Sequence, residues 1–255
     1  MIDASKLSQA EKLLWGFGIT APEEIDLDAI AFELGIIVKR RKLDGADARL
    51  VAANDRGVIT VSVHTHPKRQ RFSIGHEIGH WIRDSDGEEM LACSKADVSP
   101  RNQGAKNKEA EANVFSADLL LPPYLVRPMI GAREPTIDLT LDIGKAFDTS
   151  IPATAIRIVR HAKVPAAVVV HSKAGRDWFF KNTLWPMDFQ LAPQVHHDSP
   201  AMDLLYSGSP RARSRDQKES ASRWVWGPDA YHIEVRAQTI KLRDDQVLTL
   251  LRLPA

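Results

Sequence analysis

The feature that most restricts the fold of this chain is a pentad with two histidines four residues apart, His76-Glu77-Ile78-Gly79-His80. Residues four apart lie on one face of an α-helix, so both imidazoles can reach one Zn²⁺ ion at about 2.0 to 2.1 Å. Glu77 lies about 100° further round the helix, where a carboxylate can hold a water without displacing it from the metal. The pentad therefore predicts a helix with a zinc site in which Glu77 lies beside the metal-bound water.

The surrounding residues support a helix with two different faces. The apolar positions Ile74, Ile78, Trp81 and Ile82 fall in one sector, and the two histidines lie roughly opposite its middle. Gly75 and Gly79 each lower helix stability by about 1 kcal/mol relative to alanine, which favours a site where another group approaches the backbone closely. The alternative is a surface helix with two solvated histidines.

A catalytic zinc ion usually has three protein ligands and an open fourth position. No histidine occurs six residues after His80, and Asp86 at that position is the second choice. The segment NKEAEANVFSADLLLPP predicts a second helix from about Lys108 to Leu121, with Glu109 beside its apolar face and Glu111 on its solvated face. Glu109 is the preferred third ligand, and the alternative is two exposed glutamates near a helix start.

Composition excludes several classes of protein. The 255 residues are 44% hydrophobic, which is enough for one large or two modest folded domains, and a formal charge of +1 gives no overall field for nucleic acid. Direct nucleic-acid binding is therefore not favoured. The first residues lack the basic and apolar stretches of a signal peptide, and no apolar run of about 18 residues occurs, so we expect a cytoplasmic protein without a membrane span.

The order of predicted elements favours an α+β fold. Three short strands precede the pentad helix (36 to 39, 49 to 53 and 57 to 63), and a helical pair follows from about 136 to 163. After Pro165 the sequence changes to strands, tryptophans and one long polar loop. We therefore predict a boundary between residues 1 to 164 and a β-rich region, 165 to 255, with a regulatory or sensor role.

Two segments together resemble the ImmA/IrrE family of metallopeptidases: RQRFSIGHEIGHW from Arg69 to Trp81, and EAEANVFSADLLLP from Glu109 to Pro122. The preceding GVITVSV also resembles that family's edge strand. The resemblance implies a zincin-like core with a small antiparallel sheet, with His76, His80 and Glu109 as ligands and Glu77 as the base. It further implies cleavage of a helix-turn-helix repressor in a stress, phage or mobile-element response. Ser116 departs from the family, in which a small alanine is common at this position.

Several alternatives stay open at this stage. The metal is zinc or manganese, and a metal-containing regulator without peptidase activity is the alternative function. The strand from Gly57 to Val63 pairs either with an extended substrate or with its own sheet. Cys93 is a redox sensor or a small buried residue. The helical pair reads DNA or, as we prefer, packs on the catalytic core. Candidate donors to the oxyanion are His64, His66, Arg71 and Tyr124.

Overall fold

The computed structural model describes residues 3–53, 55–84, 103–209, 212–243 and 245–254. Its contacts divide the chain into two compact units. Unit 1 comprises Met1–Pro128 and Ala146–Thr149, and unit 2 comprises Met129–Lys145 and Ser150–Ala255. The α+β prediction is confirmed, because helices around a small sheet are followed by a region rich in strands.

Unit 1 contains the pentad and begins with helices that are closed by specific caps. Ser8 and Glu11 form a complete capping box at the start of the first helix, and the second Glu11 oxygen accepts a hydrogen bond from the backbone N–H of Tyr124 at 2.9 Å. The elements of this part of the chain are α1 (Gln9–Gly16), α2 (Leu27–Glu33), β1 (Ile36–Arg41), β2 (Ala48–Ala53), β3 (Arg56–Ser62), α3 (Pro67–Asp84), α4 (Gln103–Leu120) and α5 (Pro123–Ile130).

The small sheet has the order β1-β3-β2. β3 pairs with β1 in parallel and with β2 in antiparallel orientation, so the prediction of an antiparallel sheet is wrong and the sheet is mixed. β3 also occupies the centre, where both of its edges already carry hydrogen bonds, so of the two alternatives it pairs within its own sheet and not with a substrate. β2 is an edge strand of this sheet.

Helices α3 and α4 pack closely because α3 has glycines at the crossing. A Cβ atom at Gly75 would lie 2.7 Å from Oγ of Ser116, and one at Gly79 would lie 3.1 to 3.2 Å from Phe115. Ser116 is buried and donates a hydrogen bond to the carbonyl of Phe72 at 2.7 Å. The two glycines therefore allow α4 to approach α3 closely at the pentad.

Unit 2 is built on a five-stranded antiparallel sheet with the order β5-β4-β10-β9-β7. One face of this sheet packs against the helical pair, and the other packs against a short helix and a two-stranded ribbon. The elements are α6 (Ile137–Ala146), α7 (Ile151–His161), β4 (Ala166–Ser172), β5 (Gly175–Lys181), β6 (Gln190–Leu191), α8 (Pro200–Tyr206), β7 (Gln217–Ser220), β8 (Val225–Trp226), β9 (Glu234–Arg243) and β10 (Gln246–Arg252).

The predicted boundary near residue 164 places the helical pair in the first domain, whereas the compact units place both of its helices mainly in unit 2. Apolar side chains of the pair, including Ile137, Ala155 and Val159, share one buried cluster with Val168 and Leu250 of the sheet in unit 2. The sheet face needs this cover because its residues are apolar on both sides. The helices of the pair thus pack on the strands of unit 2, while Asp148 in the loop between them lies 3.8 Å from Arg71 of α3.

No helix in the described ranges is long and apolar enough to cross a bilayer.

Candidate metal centre

Three side chains from α3 and α4 converge on one point in unit 1. Nε2 of His76 lies 3.1 Å from Nε2 of His80, and each of these atoms lies 3.2 Å from a carboxylate oxygen of Glu109. His80 is buried, whereas the Glu109 side chain is 46% exposed. Two residues of α3 and one of α4 therefore present three possible ligand atoms to one position.

The spacing of these donors fits a divalent metal ion. In a tetrahedral site with ligand bonds of about 2.0 to 2.1 Å, neighbouring donor atoms lie about 3.3 Å apart. Nδ1 of His76 lies 3.1 Å from Oδ1 of Asn113, one helical turn after Glu109. An amide oxygen there accepts the Nδ1 proton and leaves the Nε2 lone pair for a metal. Burial lowers the pKa of His76, which favours the neutral form that binds metals.

The carboxylate of Glu77 lies in a buried position beside the three donors. Burial, together with the negative charge of Glu109, raises the pKa of Glu77 to about 7. The backbone N–H of Leu50 in β2 acts in the opposite direction. Within the described part of the chain, Oε2 of Glu77 has no hydrogen-bond partner. This oxygen is therefore available to a water molecule, as a general base requires.

The outer edge of β2 runs past this carboxylate. The carbonyl of Asp47 accepts a hydrogen bond from the N–H of Ser62, so the backbone groups of Asp47 and of every second residue after it face β3. The backbone groups of Ala48, Leu50 and Ala52 face away from β3. No described strand pairs with this outer edge, which makes it an open row of donors and acceptors.

A guanidinium group contacts His80 from the end of α3. Nη2 of Arg83 lies 2.7 Å from Nδ1 of His80, and Nη1 donates to the carbonyl of Lys108 at 2.8 Å. The same Nη1 lies 3.6 Å from the carboxylate of Glu111, whose side chain is 67% exposed. Glu111 thus points to Arg83, and Glu109 is the glutamate of α4 that reaches both histidines.

The predicted oxyanion donors have other roles in the structure. Tyr124 donates its hydroxyl hydrogen bond to the carbonyl of Ile19 in the interior, and Arg71 lies 3.8 Å from Asp148. Nδ1 of His66 accepts the N–H of Lys68 at the start of α3. The structure gives no contact between His64 and the three donors. Positions 86 and 93, for which a ligand and a thiol were considered, lie outside the described residues.

Two side chains near the donors were not assigned by sequence reasoning. Asn113 follows Glu109 by one turn of α4 and contacts His76. Arg69 precedes His76 by two turns, and its positive charge contributes to the lowered pKa of that histidine. The sequence could have indicated Arg69, because it precedes His76 by seven residues and so lies on the same helix face.

A second cluster of metal-binding residue types lies before α8, at His196, His197 and Asp198. The two imidazole rings stack at 4.4 Å, and the ligand atoms of the cluster lie within 4.8 Å of one another. Nδ1 of His196 accepts the N–H of Asp198, so a neutral ring has its own proton on Nε2. The side chains of His197 and Asp198 are 79% and 60% exposed, so this cluster lacks the buried setting of the first one.

Comparisons with known proteins agree with the geometry of unit 1. The sequence pattern of the family described as the IrrE N-terminal-like domain matches residues 31–171. The radiation response metalloprotease IrrE of Deinococcus radiodurans is 26% identical over 119 residues, which cover 46% of this chain and 35% of that protein. A transcriptional regulator of Mycobacterium tuberculosis superposes with a TM-score of 0.60 over 96% of this chain and 74% of that chain, at 17% identity. The last similarity shows the fold alone.

Proposed function

Because the chain belongs to the ImmA/IrrE family of peptidases, whose pattern spans residues 31–171, we propose that it is a metal-dependent endopeptidase. The observation that carries this proposal is the convergence of His76, His80 and Glu109 beside a buried Glu77. A metal-dependent activity accounts for both features, since three donors hold an ion and a fourth, unpaired carboxylate handles protons.

We assign the three donor atoms of the site to ion binding. Nε2 of His76, Nε2 of His80 and the carboxylate of Glu109 would hold the ion, and Asn113 orients the first of these rings. We propose zinc, because two imidazoles and one carboxylate form a common catalytic zinc set, with manganese as the alternative ion. The ion supplies Lewis acidity, which lowers the pKa of a water and polarises the scissile carbonyl.

Glu77 moves the protons of the reaction. Its unpaired Oε2 accepts the proton of the attacking water and then delivers this proton to the leaving amine. The buried position excludes bulk water from the carboxylate and raises its pKa, so the group accepts a proton more readily than an exposed glutamate does. Both transfers use one side chain, which explains why the site needs no separate acid in this scheme.

The edge of β2 holds the substrate backbone in an extended conformation. Ala48 and Ala52 present outward N–H and C=O groups on either side of Leu50, and an extended peptide pairs with such an edge by main-chain hydrogen bonds. Leu50 faces Glu77, so the bond to be cut lies opposite the middle of this strand. The substrate is therefore a flexible or locally unfolded segment of a protein.

We further propose a helix-turn-helix repressor as the substrate. The support is family membership and the similarity to a relative named a radiation response metalloprotease. The matched segment covers 35% of that relative's length. In this scheme the amino-terminal region cleaves the repressor, and the β-rich region after Pro165 has a regulatory role. Cleavage of a repressor would place the protein in a stress or mobile-element response.

One pair of measurements tests the proposed function. The wild-type protein and Glu77→Gln are loaded with Zn²⁺ or Mn²⁺, and metal content and cleavage of the repressor encoded beside the gene are measured. Glu77→Gln should keep the metal, because Glu77 is not a ligand, and should lose cleavage by about 10² to 10⁴. His80→Ala and Glu109→Ala should lose most of the metal, whereas Glu111→Ala, the matched control on α4, should keep it.

The alternative is a metal-containing regulator without peptidase activity. Its metal site is structural and has no need for a proton acceptor. Equal cleavage by wild type and Glu77→Gln at equal metal content would show that the proposed proton transfer is wrong. Full metal in both His80→Ala and Glu109→Ala would remove the metal assignment, and metal binding without any cleavage would favour the regulator.

A further inference from the structure

Arg69 is held in a fixed orientation beside the start of β2. Its Nε donates to the carboxylate of Asp47 at 3.1 Å, and its guanidinium carbon lies 5.4 Å from the centre of the Phe72 ring. Asp47 is itself held by the hydroxyl of Thr65 at 3.4 Å. The side chain of Gln70 donates to the carbonyl of Thr65 at 2.8 Å, which fixes that residue in turn. An arginine held on two sides loses less entropy when it binds a further group.

The contacts of Arg69 leave most of its hydrogen-bonding capacity unused. A guanidinium has five N–H donors, and Asp47 uses the one on Nε. Within the described residues, the two Nη groups donate to no protein atom. The side chain is 57% exposed, so these groups face solvent rather than a buried partner. A planar pair of N–H groups of this kind matches the two oxygens of a carboxylate.

The position of Arg69 relates it to the candidate metal centre. Arg69, Phe72 and His76 follow one face of α3, and the Phe72 ring lies 6.4 Å from the His76 ring. Asp47 directly precedes β2, three residues before Leu50, which faces Glu77. A strand advances about 3.3 Å per residue, so Arg69 lies about 10 Å along the edge from the catalytic carboxylate.

We propose that Arg69 selects substrates with an acidic side chain about three residues from the scissile bond. This inference rests on the proposed peptidase function and on an extended substrate along β2. A peptide on that edge advances in step with the strand, so its third residue from the cleaved bond reaches the Asp47 end. There the free Nη groups of Arg69 bind its carboxylate, while Phe72 supplies an apolar surface for the stem of the side chain.

The test uses the zinc-loaded full chain and a library of peptides from a digested bacterial proteome. Mass spectrometry of the cleaved peptides gives the enrichment of each residue type at four positions on either side of the cut. Wild type should enrich aspartate and glutamate about 3- to 10-fold at the third residue on one side of the cut. This range is typical of a charged contact that is partly exposed. Arg69→Met should abolish this enrichment, and Arg69→Glu should favour lysine and arginine there.

The control is Arg40→Met on the other edge strand. Arg40 and Asp28 form an exposed ion pair like that of Arg69 and Asp47, but on β1. It should retain the wild-type preference. Zinc content and melting temperature should match wild type in all three variants, which separates a change of specificity from a loss of folding.

The outcomes separate this inference from the proposed function. Cleavage by wild type without acidic enrichment, or the same enrichment in Arg69→Met, would overturn the role of Arg69 and leave the peptidase intact. No cleavage of any peptide or of the repressor by the zinc-loaded wild type would overturn the proposed function itself, and the selection by Arg69 with it.

Discussion

The crossing of α3 and α4 makes a quantitative prediction for the pair Gly75 and Ser116. A methyl group at position 75 would meet Oγ of Ser116 at 2.7 Å, but the next nearest atom, Cβ of Ser116, at 3.4 Å. Gly75→Ala therefore introduces overpacking of about 1 to 3 kcal/mol and gains about 1 kcal/mol in helix propensity. The single variant should be less stable than wild type by about 0 to 2 kcal/mol.

When the serine hydroxyl is removed, Gly75→Ala should stabilise the protein instead of destabilising it. Ser116→Ala alone loses the buried hydrogen bond to the carbonyl of Phe72, which costs about 1 kcal/mol. In the double variant the clash disappears and the gain in helix propensity offsets that bond. The double variant should have nearly wild-type stability, which gives a favourable coupling of about 1 to 3 kcal/mol between the two positions.

Denaturation with urea measures this coupling, and zinc affinity is measured on the same four proteins. The crossing also sets the separation of the ligands on the two helices, so zinc affinity should fall in Gly75→Ala and recover in the double variant. If the effects of the two single substitutions add to within about 0.5 kcal/mol, the close approach of the helices described above is incorrect.

Three further predictions concern other parts of the chain. Asn113→Ala should weaken zinc binding about 10- to 100-fold, as measured by competition with a chelator, because the His76 ring loses the acceptor that orients it; unchanged affinity would contradict this. Glu11→Ala should lower the free energy of unfolding by about 2 to 3 kcal/mol, because the carboxylate loses its hydrogen bonds from the N–H of Ser8 at the start of α1 and from the N–H of Tyr124 in α5; Glu23→Ala, a substitution of an exposed glutamate, is the control. Burial lowers the pKa of His171 from 6.5, so the unfolded chain binds a proton more readily and stability should fall as the pH drops below about 6.5. His171→Gln should flatten that decline in thermal unfolding measured at several pH values, and an equal slope in both proteins would refute the assignment.

The local pattern of the sequence predicted much of unit 1. The spacing of His76 and His80 predicted a helix at the pentad, and α3 spans Pro67–Asp84. The predicted strands lie within one or two residues of β1, β2 and β3. These predictions succeeded because helix periodicity and strand alternation depend on neighbouring residues. The expected approach of another group to Gly75 and Gly79 also agrees with the contacts of Ser116 and Phe115.

The order of strands in a sheet was not predictable in the same way. β3 is the most buried strand of the first three and was considered as an edge, but it lies between β1 and β2. Strand order depends on tertiary packing that no local pattern encodes. Pro122 and Pro123 follow the end of α4 at Leu120, and Pro123 is also the first residue of α5, where a proline needs no N–H. The contact of Arg69 with Asp47 likewise joins residues 22 apart in sequence.

The outward edge of β2 has a consequence for the substrates that can be cut. Alternate residues of that strand face outward, and of these Ala48 and Ala52 present both N–H and C=O to a bound peptide, since the N–H of Leu50 faces Glu77. The peptide therefore uses its own N–H groups at every second position, and only those positions are sensitive to the loss of an N–H. Proline or N-methyl scanning of a cleaved peptide should give a two-residue rhythm, in which tolerated and blocked positions alternate on both sides of the cut.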